Sequence, residues 1–210
     1  MPVQVKEKHL ELILASRSPR RAELLQRMGF VFRVISADVS ENVPDGMDPK
    51  THVLTLSRRK AETVRCTVQN DAIVVGADTI VFLDGKILEK PATVDQARAM
   101  LSDLSGRTHQ VFTGLCLIGP GDKILSDLEE TSVTFRPLDN WEIDDYVKTG
   151  SPMDKAGGYG IQDRSGLFVD RISGCFYNVV GFPLTRFYLG LLHLIGPEHL
   201  RRLMRHREGA

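Results

Sequence analysis

Residues 72–83 read AIVVGADTIVFL, an apolar run that contains a single charged residue, Asp78. The β-branched residues of this run predict strand structure over 72–75 and again over 80–83, on either side of a Gly-Ala-Asp-Thr segment. Asp84-Gly85 follows at once, and this dipeptide favours a two-residue hairpin turn. We therefore expect the chain to fold back on itself after residue 83, with Pro91 ending the returning strand.

Upstream of this stretch, the sequence predicts a strand, a helix, a second strand and a second helix. These elements cover residues 10–15, 22–28, 30–35 and about 50–68. Pro19 suits the first helical position, Ser18 suits the N-cap before it, and Gly29 stops the first helix. The chain therefore enters this helix directly from a buried strand.

Downstream, three helices and three strands are predicted. The helices cover residues 94–104, 138–148 and 184–195, and the strands cover 109–118, 124–135 and 166–172. A Gly-Pro-Gly-Asp turn joins the first two strands into a long antiparallel hairpin. Because strands and helices mix without strict alternation, we expect one α/β domain around a mixed, twisted sheet flanked by helices.

Composition and charge exclude several classes of protein. The chain has 210 residues, 42% hydrophobic and 26% charged, which excludes a disordered, collagen-like or coiled-coil chain. Its 27 Lys and Arg balance 27 Asp and Glu, whereas nucleic-acid binders are usually basic, so no nucleic-acid partner is expected. Three separated cysteines and the lack of any apolar run of about 20 residues predict a cytoplasmic protein without a membrane partner.

Two segments could carry chemistry. Ser16, Ser18 and the arginines at 17, 20 and 21 stand between a strand and a helix, where unpaired N–H groups attract anions. The alternative is an ordinary capped helix with solvated arginines. Asp78 follows an apolar strand and could bind Mg²⁺ or deprotonate a water, or it could merely cap a tight turn opened by Gly76.

Further polar residues could complete a polyphosphate site, although each alone could equally be a solvated surface charge. They are Glu41, Lys60, Lys90 and Lys155. A glycine-rich segment at 157–160 allows close backbone approach to a ligand, and Gln162 offers an amide that can both donate to and accept from a base. The alternative for this segment is a plain glycine-rich turn.

Taken in order, these segments resemble the Maf family of nucleotide pyrophosphatases, whose fold is related to that of the inosine-triphosphate pyrophosphatases. The motifs are SRSPRR (16–21), RKA (59–61), GADT (76–79), LEKP (88–91), LSG (104–106), DKAG (154–157), GIQ (160–162) and VGFP (180–183). The resemblance places the domain at residues 10–196. Residues 1–9 and the basic segment 197–210 are then terminal extensions, and Arg201–Arg207 are expected to be solvated or frayed.

The resemblance implies hydrolysis of a nucleoside triphosphate between its α- and β-phosphates. Asp78 would be the proton acceptor and, with Glu41, a ligand of Mg²⁺ or Mn²⁺. The residues expected to hold the phosphates are Ser16, Ser18, Arg21, Lys60, Lys90 and Lys155. The family also makes a homodimer plausible.

The positions that separate the branches of the family are Arg20, Thr79 and Gln162, and this set is similar to that of the branch acting on dTTP and UTP. An amide can donate to a pyrimidine carbonyl, whereas the carboxylate of the 7-methyl-GTP branch suits a purine's N–H donors. Two alternatives remain open: the same reaction on a modified or methylated nucleotide, and a nucleotide-binding regulator of cell division or septum formation.

Overall fold

The computed structural model describes residues 10–44, 46–68 and 71–204. The six helices of these residues are α1 (Pro19–Arg27), α2 (Pro49–Arg65), α3 (Val94–Leu104), α4 (Asn140–Val147), α5 (Phe176–Val180) and α6 (Leu184–Arg202). Their strands are β1 (Glu11–Ala15), β2 (Arg33–Val34), β3 (Ala72–Leu83), β4 (Lys86–Leu88), β5 (Thr108–Ile118), β6 (Ile124–Phe135) and β7 (Val169–Ser173). The N-terminal extension proposed for residues 1–9 lies outside the described residues.

All seven strands form one mixed sheet, as expected. The strand order is β2-β1-β3-β5-β6-β7, and β4 pairs with β3 off this path. β1 runs parallel to β2 and to β3, whereas the other pairings are antiparallel, including the predicted hairpins β3–β4 and β5–β6. Helices pack against the sheet over apolar clusters, so the prediction of one α/β domain is confirmed.

One edge of β3 is only partly covered. β5 pairs with one edge of β3 over residues 74–82. On the other edge β1 pairs with residues 72–76, and β4 pairs with residues 81–83. Among the described strands, none covers this edge over residues 77–80. The gap exposes the middle of the Gly-Ala-Asp-Thr segment at the point where β1 ends.

β3 is a single strand of 12 residues, so the alternative of a tight turn opened by Gly76 is wrong. The glycine serves packing instead, because α2 crosses this strand at very short range. A Cβ at Gly76 would lie 2.2 Å from the backbone oxygen of Ser57. Gly114 on β5 makes the same kind of approach, with a Cβ position 2.4 Å from the backbone oxygen of Val53. Both glycines let α2 lie directly on the sheet.

Two strand predictions need correction, and one helix was missed. The strand predicted over 30–35 shrinks to Arg33–Val34, and Phe30 forms an isolated bridge with Met204. The strand predicted over 166–172 begins later, since residues 164–168 form a 3₁₀ turn before β7. The short helix α5 was not predicted.

The C-terminal helix is longer than predicted. α6 continues past residue 195 to Arg202, with a kink at Gly196, whose φ is +72°. Arg201 and Arg202 are exposed, as expected, but the tail is packed rather than frayed up to Met204, because Leu200 and Leu203 are buried in the cluster around β1 and α6. The rest of the C-terminal extension, residues 205–210, lies outside the described residues. Within the described residues, no helix is long and apolar enough to cross a lipid bilayer.

Candidate active site

A cleft of about 980 Å³ opens at the uncovered edge of β3. The eleven side chains proposed from the sequence all line it, although they come from six separate segments of the chain. They are Ser16, Ser18, Arg20, Arg21, Glu41, Lys60, Asp78, Thr79, Lys90, Lys155 and Gln162. The fold thus brings every candidate residue to one place.

The turn between β1 and α1 forms one wall of the cleft. Helix α1 begins at Pro19 after Ser18, as predicted, but the Ser18 hydroxyl makes no capping hydrogen bond. Ser16 Oγ instead accepts from the Ser18 backbone N–H at 3.1 Å and from Arg21 Nη1 at 3.2 Å. The Ser18 hydroxyl is therefore left to face the cleft at a helix N-terminus, where an anion is favoured.

Arg21 is bound mainly by the protein itself. Its guanidinium donates to the backbone oxygens of Gly181 and Ala77 at 2.8 Å each, and to Thr79 Oγ1 at 3.1 Å. With the bond to Ser16, four of its five N–H groups have protein acceptors. Burial lowers the pKa of Arg21 to about 10, which leaves it cationic at neutral pH. Arg21 thus fastens α1 to the open edge of β3 and contributes positive charge there.

Thr79 lies beneath Arg21. Its hydroxyl is 2.9 Å from that of Thr113 on β5, the residue directly opposite in the sheet. Thr113 is fully buried and donates to the backbone oxygen of Asn178 at 3.2 Å. The Thr79 hydroxyl accepts from Arg21, and its own proton can go to Thr113 Oγ1 or to the backbone oxygen of Gly181, which is 3.4 Å away. The sequence did not point to Thr113, because only the pairing register of β3 and β5 places it beside Thr79.

Asp78, Lys60 and Glu41 form the charged centre of the cleft. Lys60 Nζ lies 2.7 Å from Asp78 Oδ1 and 2.8 Å from Glu41 Oε1. The side chains of Lys60 and Asp78 are each 11% exposed, whereas Glu41 is 54% exposed. No hydrogen bond from the described residues reaches Asp78 Oδ2, so this oxygen can accept one from a water or a ligand.

The environment of Glu41 favours its charged form. Burial raises the pKa of Glu41, but the hydrogen bond and charge of Lys60 lower it, together with the charges of Lys90 and Arg17. The net effect is a pKa below the ordinary value for a glutamate. Glu41 is therefore a carboxylate at neutral pH.

These residues fit a divalent cation. The carboxylates of Glu41 and Asp78 converge on a single ammonium group, which shows that both can face one cation. The described residues contain no group of three or more metal-ligating side chains. Mg²⁺, however, is commonly held by one or two carboxylates together with substrate phosphates. The pair therefore suits an ion that enters with a polyphosphate.

Arg20 and Lys155 both bind Asp154. Arg20 Nη1 lies 2.6 Å from Asp154 Oδ2, and Lys155 Nζ lies 2.7 Å from Asp154 Oδ1. Burial raises the pKa of Asp154, but the hydrogen bonds and charges of these two cations outweigh it and leave the pKa below the ordinary value. Asp154 opens the DKAG motif, but the sequence assigned it no role in the site, because its pairing with Arg20 appears only in the fold.

Lys90 and Gln162 are the most open of the candidate residues. Both are exposed, and neither has a hydrogen bond or ion pair to the described part of the chain. Lys90 follows β4, and Gln162 lies in a turn after the glycine-rich segment. Their polar groups are therefore available to a ligand in the cleft without breaking a protein contact.

A match to a known family covers most of the chain. Residues 11–194 match the family described as "Maf-like protein". The chain belongs to this family. The segment that carries the whole cleft, from Ala15 to Gly181, lies inside the matched range, so the site belongs to the Maf-like part of the molecule.

Curated relatives of this Maf-like chain share close to half of its residues. A Clostridium perfringens protein named "dTTP/UTP pyrophosphatase" is 46% identical over 184 residues, covering 87% of this chain and 96% of the relative. Proteins of the same name from Koribacter versatilis and Thermococcus kodakarensis are 50% and 49% identical, and cover 84% and 82% of this chain and 91% of each relative.

Two solved structures are more distantly similar to the Maf-like chain. A Mycobacterium abscessus nucleoside-triphosphatase, also titled dITP/XTP pyrophosphatase, has a TM-score of 0.37 at 18% identity, covering 61% of this chain and 75% of that one. The Staphylococcus aureus Ham1 protein has a TM-score of 0.41 at 12% identity, covering 60% of this chain and 71% of that one. With TM-scores this low, the fold class rests on the sheet topology described above.

Proposed function

We propose that this Maf-like protein hydrolyses dTTP and UTP to the nucleoside monophosphate and pyrophosphate. The observation that carries the proposal is the Glu41–Lys60–Asp78 centre, set in a cleft lined by further cations and hydroxyl groups. The names of the relatives, which align over more than four-fifths of the chain, support the same reaction and the same bases.

Asp78 is the proton acceptor in this proposal. Lys60 holds Oδ1, so Oδ2 is the oxygen that receives the proton of the attacking water. The water oxygen forms a bond to the α-phosphorus while the bond from that phosphorus to the α–β bridging oxygen breaks. Pyrophosphate leaves with the electron pair of the broken bond, and the water's second hydrogen stays on the monophosphate.

The cations and hydroxyls around Asp78 bind the phosphates. Lys60, Lys90 and Lys155 supply positive charge, while Ser16, Ser18 and the N-terminus of α1 supply hydroxyls and N–H donors. Arg21, which donates a hydrogen bond to Ser16 Oγ, adds positive charge next to these groups. Donors that are already in place when negative charge shifts to the leaving group lower the barrier without further reorganisation.

Asp78 and Glu41 would hold a divalent cation. When bound, Mg²⁺ or Mn²⁺ supplies Lewis-acid stabilisation of charge on the phosphate oxygens. Glu41 is exposed enough to reach an ion arriving with the substrate, and Lys60 would then give up part of its contact with the two carboxylates.

Arg20, Thr79 and Gln162 recognise the base. The free amide of Gln162 can donate to a carbonyl of thymine or uracil and accept from the ring N–H between the two carbonyls. A carboxylate at this position could only accept, which would favour a base that offers several N–H donors. The amide at residue 162 therefore suits the carbonyl and ring N–H of thymine and uracil better than a carboxylate would.

The experiment is pyrophosphate release from a panel of nucleoside triphosphates, with Mg²⁺ and Mn²⁺ compared. We expect kcat/KM to be highest for dTTP and UTP, and we expect chelation of the metal to abolish turnover. A higher kcat/KM for 7-methyl-GTP, or release of phosphate instead of pyrophosphate, would contradict the proposal. Sedimentation of the same preparation tests the homodimer.

A further inference from the structure

Asp154 joins two parts of the cleft that are far apart in sequence. One of its carboxylate oxygens binds Arg20 on α1, and the other binds Lys155, which begins the glycine-rich segment. Arg20 Nη2 also donates to the backbone oxygen of Asp154 at 3.2 Å. Asp154 therefore fixes the distance between the arginine and the segment that leads to Gln162.

The far side of this segment is held by Asp163. Asp163 Oδ2 lies 3.4 Å from Lys155 Nζ, and its carboxylate accepts from Tyr146 and from both the N–H and the hydroxyl of Ser165. Lys155 also donates to the backbone oxygen of Ser151 at 2.6 Å. Lys155 and the Gln162 turn thus have anchors that do not depend on Asp154.

Arg20 has no such second anchor. Within the described residues, all of its hydrogen bonds and ion pairs go to Asp154. Removing the Asp154 carboxylate would therefore leave the Arg20 side chain with only the bond from Nη2 to the backbone oxygen of residue 154, while Lys155 and the Gln162 turn keep their other anchors. A loosely held arginine discriminates poorly among bases, because its side chain must be ordered each time a nucleotide binds.

We propose that Asp154 is a positioning residue for base discrimination, which acts by holding Arg20 at a fixed place in the cleft that Gln162 also lines. The inference rests on the proposed function, since it concerns the same site and substrates. It assigns Asp154 no contact with the reacting atoms. Loss of its carboxylate should weaken selection among bases more than it weakens turnover.

The test compares Asp154→Asn and Asp154→Ala with the wild-type protein, using kcat and KM for dTTP and for CTP. We expect the ratio of kcat/KM for dTTP over CTP to fall by about tenfold, the scale of one charge-assisted hydrogen bond. The kcat for dTTP should stay within about threefold, since the reacting centre is untouched. Inhibition by inorganic tripolyphosphate, which has no base, should not weaken, because loss of the Asp154 carboxylate removes a negative charge beside Lys155.

Asp145→Asn is the matched control. Asp145 forms an ion pair with Arg164 at 2.5 Å, with side-chain exposure of 46% against 57% for Asp154, and it does not line the cleft. This variant should keep the wild-type ratio. Thermal unfolding of all variants shows whether any change reflects lost stability.

A double-mutant cycle with Arg20→Gln identifies the route of the effect. If Asp154 acts through Arg20, the double variant Asp154→Asn/Arg20→Gln should have the same ratio of kcat/KM for dTTP over CTP as Arg20→Gln alone. Three results would overturn the inference. The first is an equal fall of the dTTP/CTP ratio of kcat/KM when Asp154→Asn is added to wild type and to Arg20→Gln. The others are an unchanged ratio in Asp154→Asn, and a parallel loss for dTTP, CTP and tripolyphosphate. A wild-type protein that hydrolyses neither dTTP nor UTP overturns the proposed function, and this inference with it.

Discussion

Asp78 and Thr79 are consecutive in the chain, yet their side chains leave β3 on opposite faces of the sheet. Asp78 meets Lys60 of α2 at 2.7 Å, whereas Thr79 meets Arg21 of α1 at 3.1 Å. Alternation along a strand requires this arrangement. Both side chains can line one cleft only because the edge of β3 is uncovered over residues 77–80, so that the cleft reaches both faces.

Replacing Asp78 tests the proton acceptor. In Asp78→Ala, kcat for dTTP should fall by at least about 100-fold, the share expected of a positioned base. Release of pyrophosphate measures this directly, and Asp145→Asn serves as the control. Turnover within a few-fold of wild type would refute the assignment of Asp78.

Gln162→Glu tests whether the side chain at position 162 discriminates among bases. The substitution removes a donor that faces the cleft, so kcat/KM should fall for dTTP and UTP and rise for 7-methyl-GTP. Turnover itself should persist, because among the described residues Gln162 makes no hydrogen bond or ion pair with Asp78 or Lys60. Gln26→Glu, on the exposed side of α1, is the matched control. A uniform loss on all substrates would point to a structural role instead.

Gly76→Ala tests the close packing of α2 on β3. A Cβ there would lie 2.2 Å from the Ser57 oxygen and 2.8 Å from the Ala61 nitrogen, so backbone must shift. We expect the free energy of unfolding to fall by about 3 kcal/mol, as for severe overpacking. Gly119→Ala, whose nearest contact would be 3.7 Å, should change it by no more than about 0.5 kcal/mol. Urea unfolding of both variants would show the difference, and equal stabilities would disprove this account of Gly76.

Buried His109 makes stability depend on pH. Its ring is fully buried, with Nε2 2.7 Å from the Tyr159 hydroxyl, and burial lowers its pKa to about 4. Between pH 6.5 and pH 4 the unfolded chain binds this proton and the native chain does not. The free energy of unfolding should therefore fall as the pH drops through this window, by about 3 kcal/mol in total.

The measurement is urea unfolding between pH 4 and pH 7 for wild type, His109→Phe and His193→Gln. His109→Phe should show a smaller loss of stability across this window, whatever its stability at pH 7. His193 is exposed, so its replacement should leave the wild-type slope unchanged. Identical slopes for His109→Phe and wild type would contradict the role of His109.

Local patterns were enough to predict most elements. Pro19 and Gly29 bracket α1 as expected, Asp84-Gly85 forms the predicted turn, and helix α3 matches its predicted bounds. These elements depend on residues close together in sequence, where backbone preferences act directly. The eleven candidate residues that line the cleft came from motifs, and several of them were candidates only through the family resemblance.

Long-range contacts decided the rest. The pattern of 72–83 left open a turn at Gly76, because the sequence does not show that α2 would press against that glycine. Thr113 and Asp154 came to the site through strand register and through a contact spanning 134 residues. The sequence alone was enough to name the candidate residues of the cleft. Which of them are free to meet a substrate, and which already bind one another, was decided only by the tertiary structure, because hydrogen-bond partners are set by packing between distant segments.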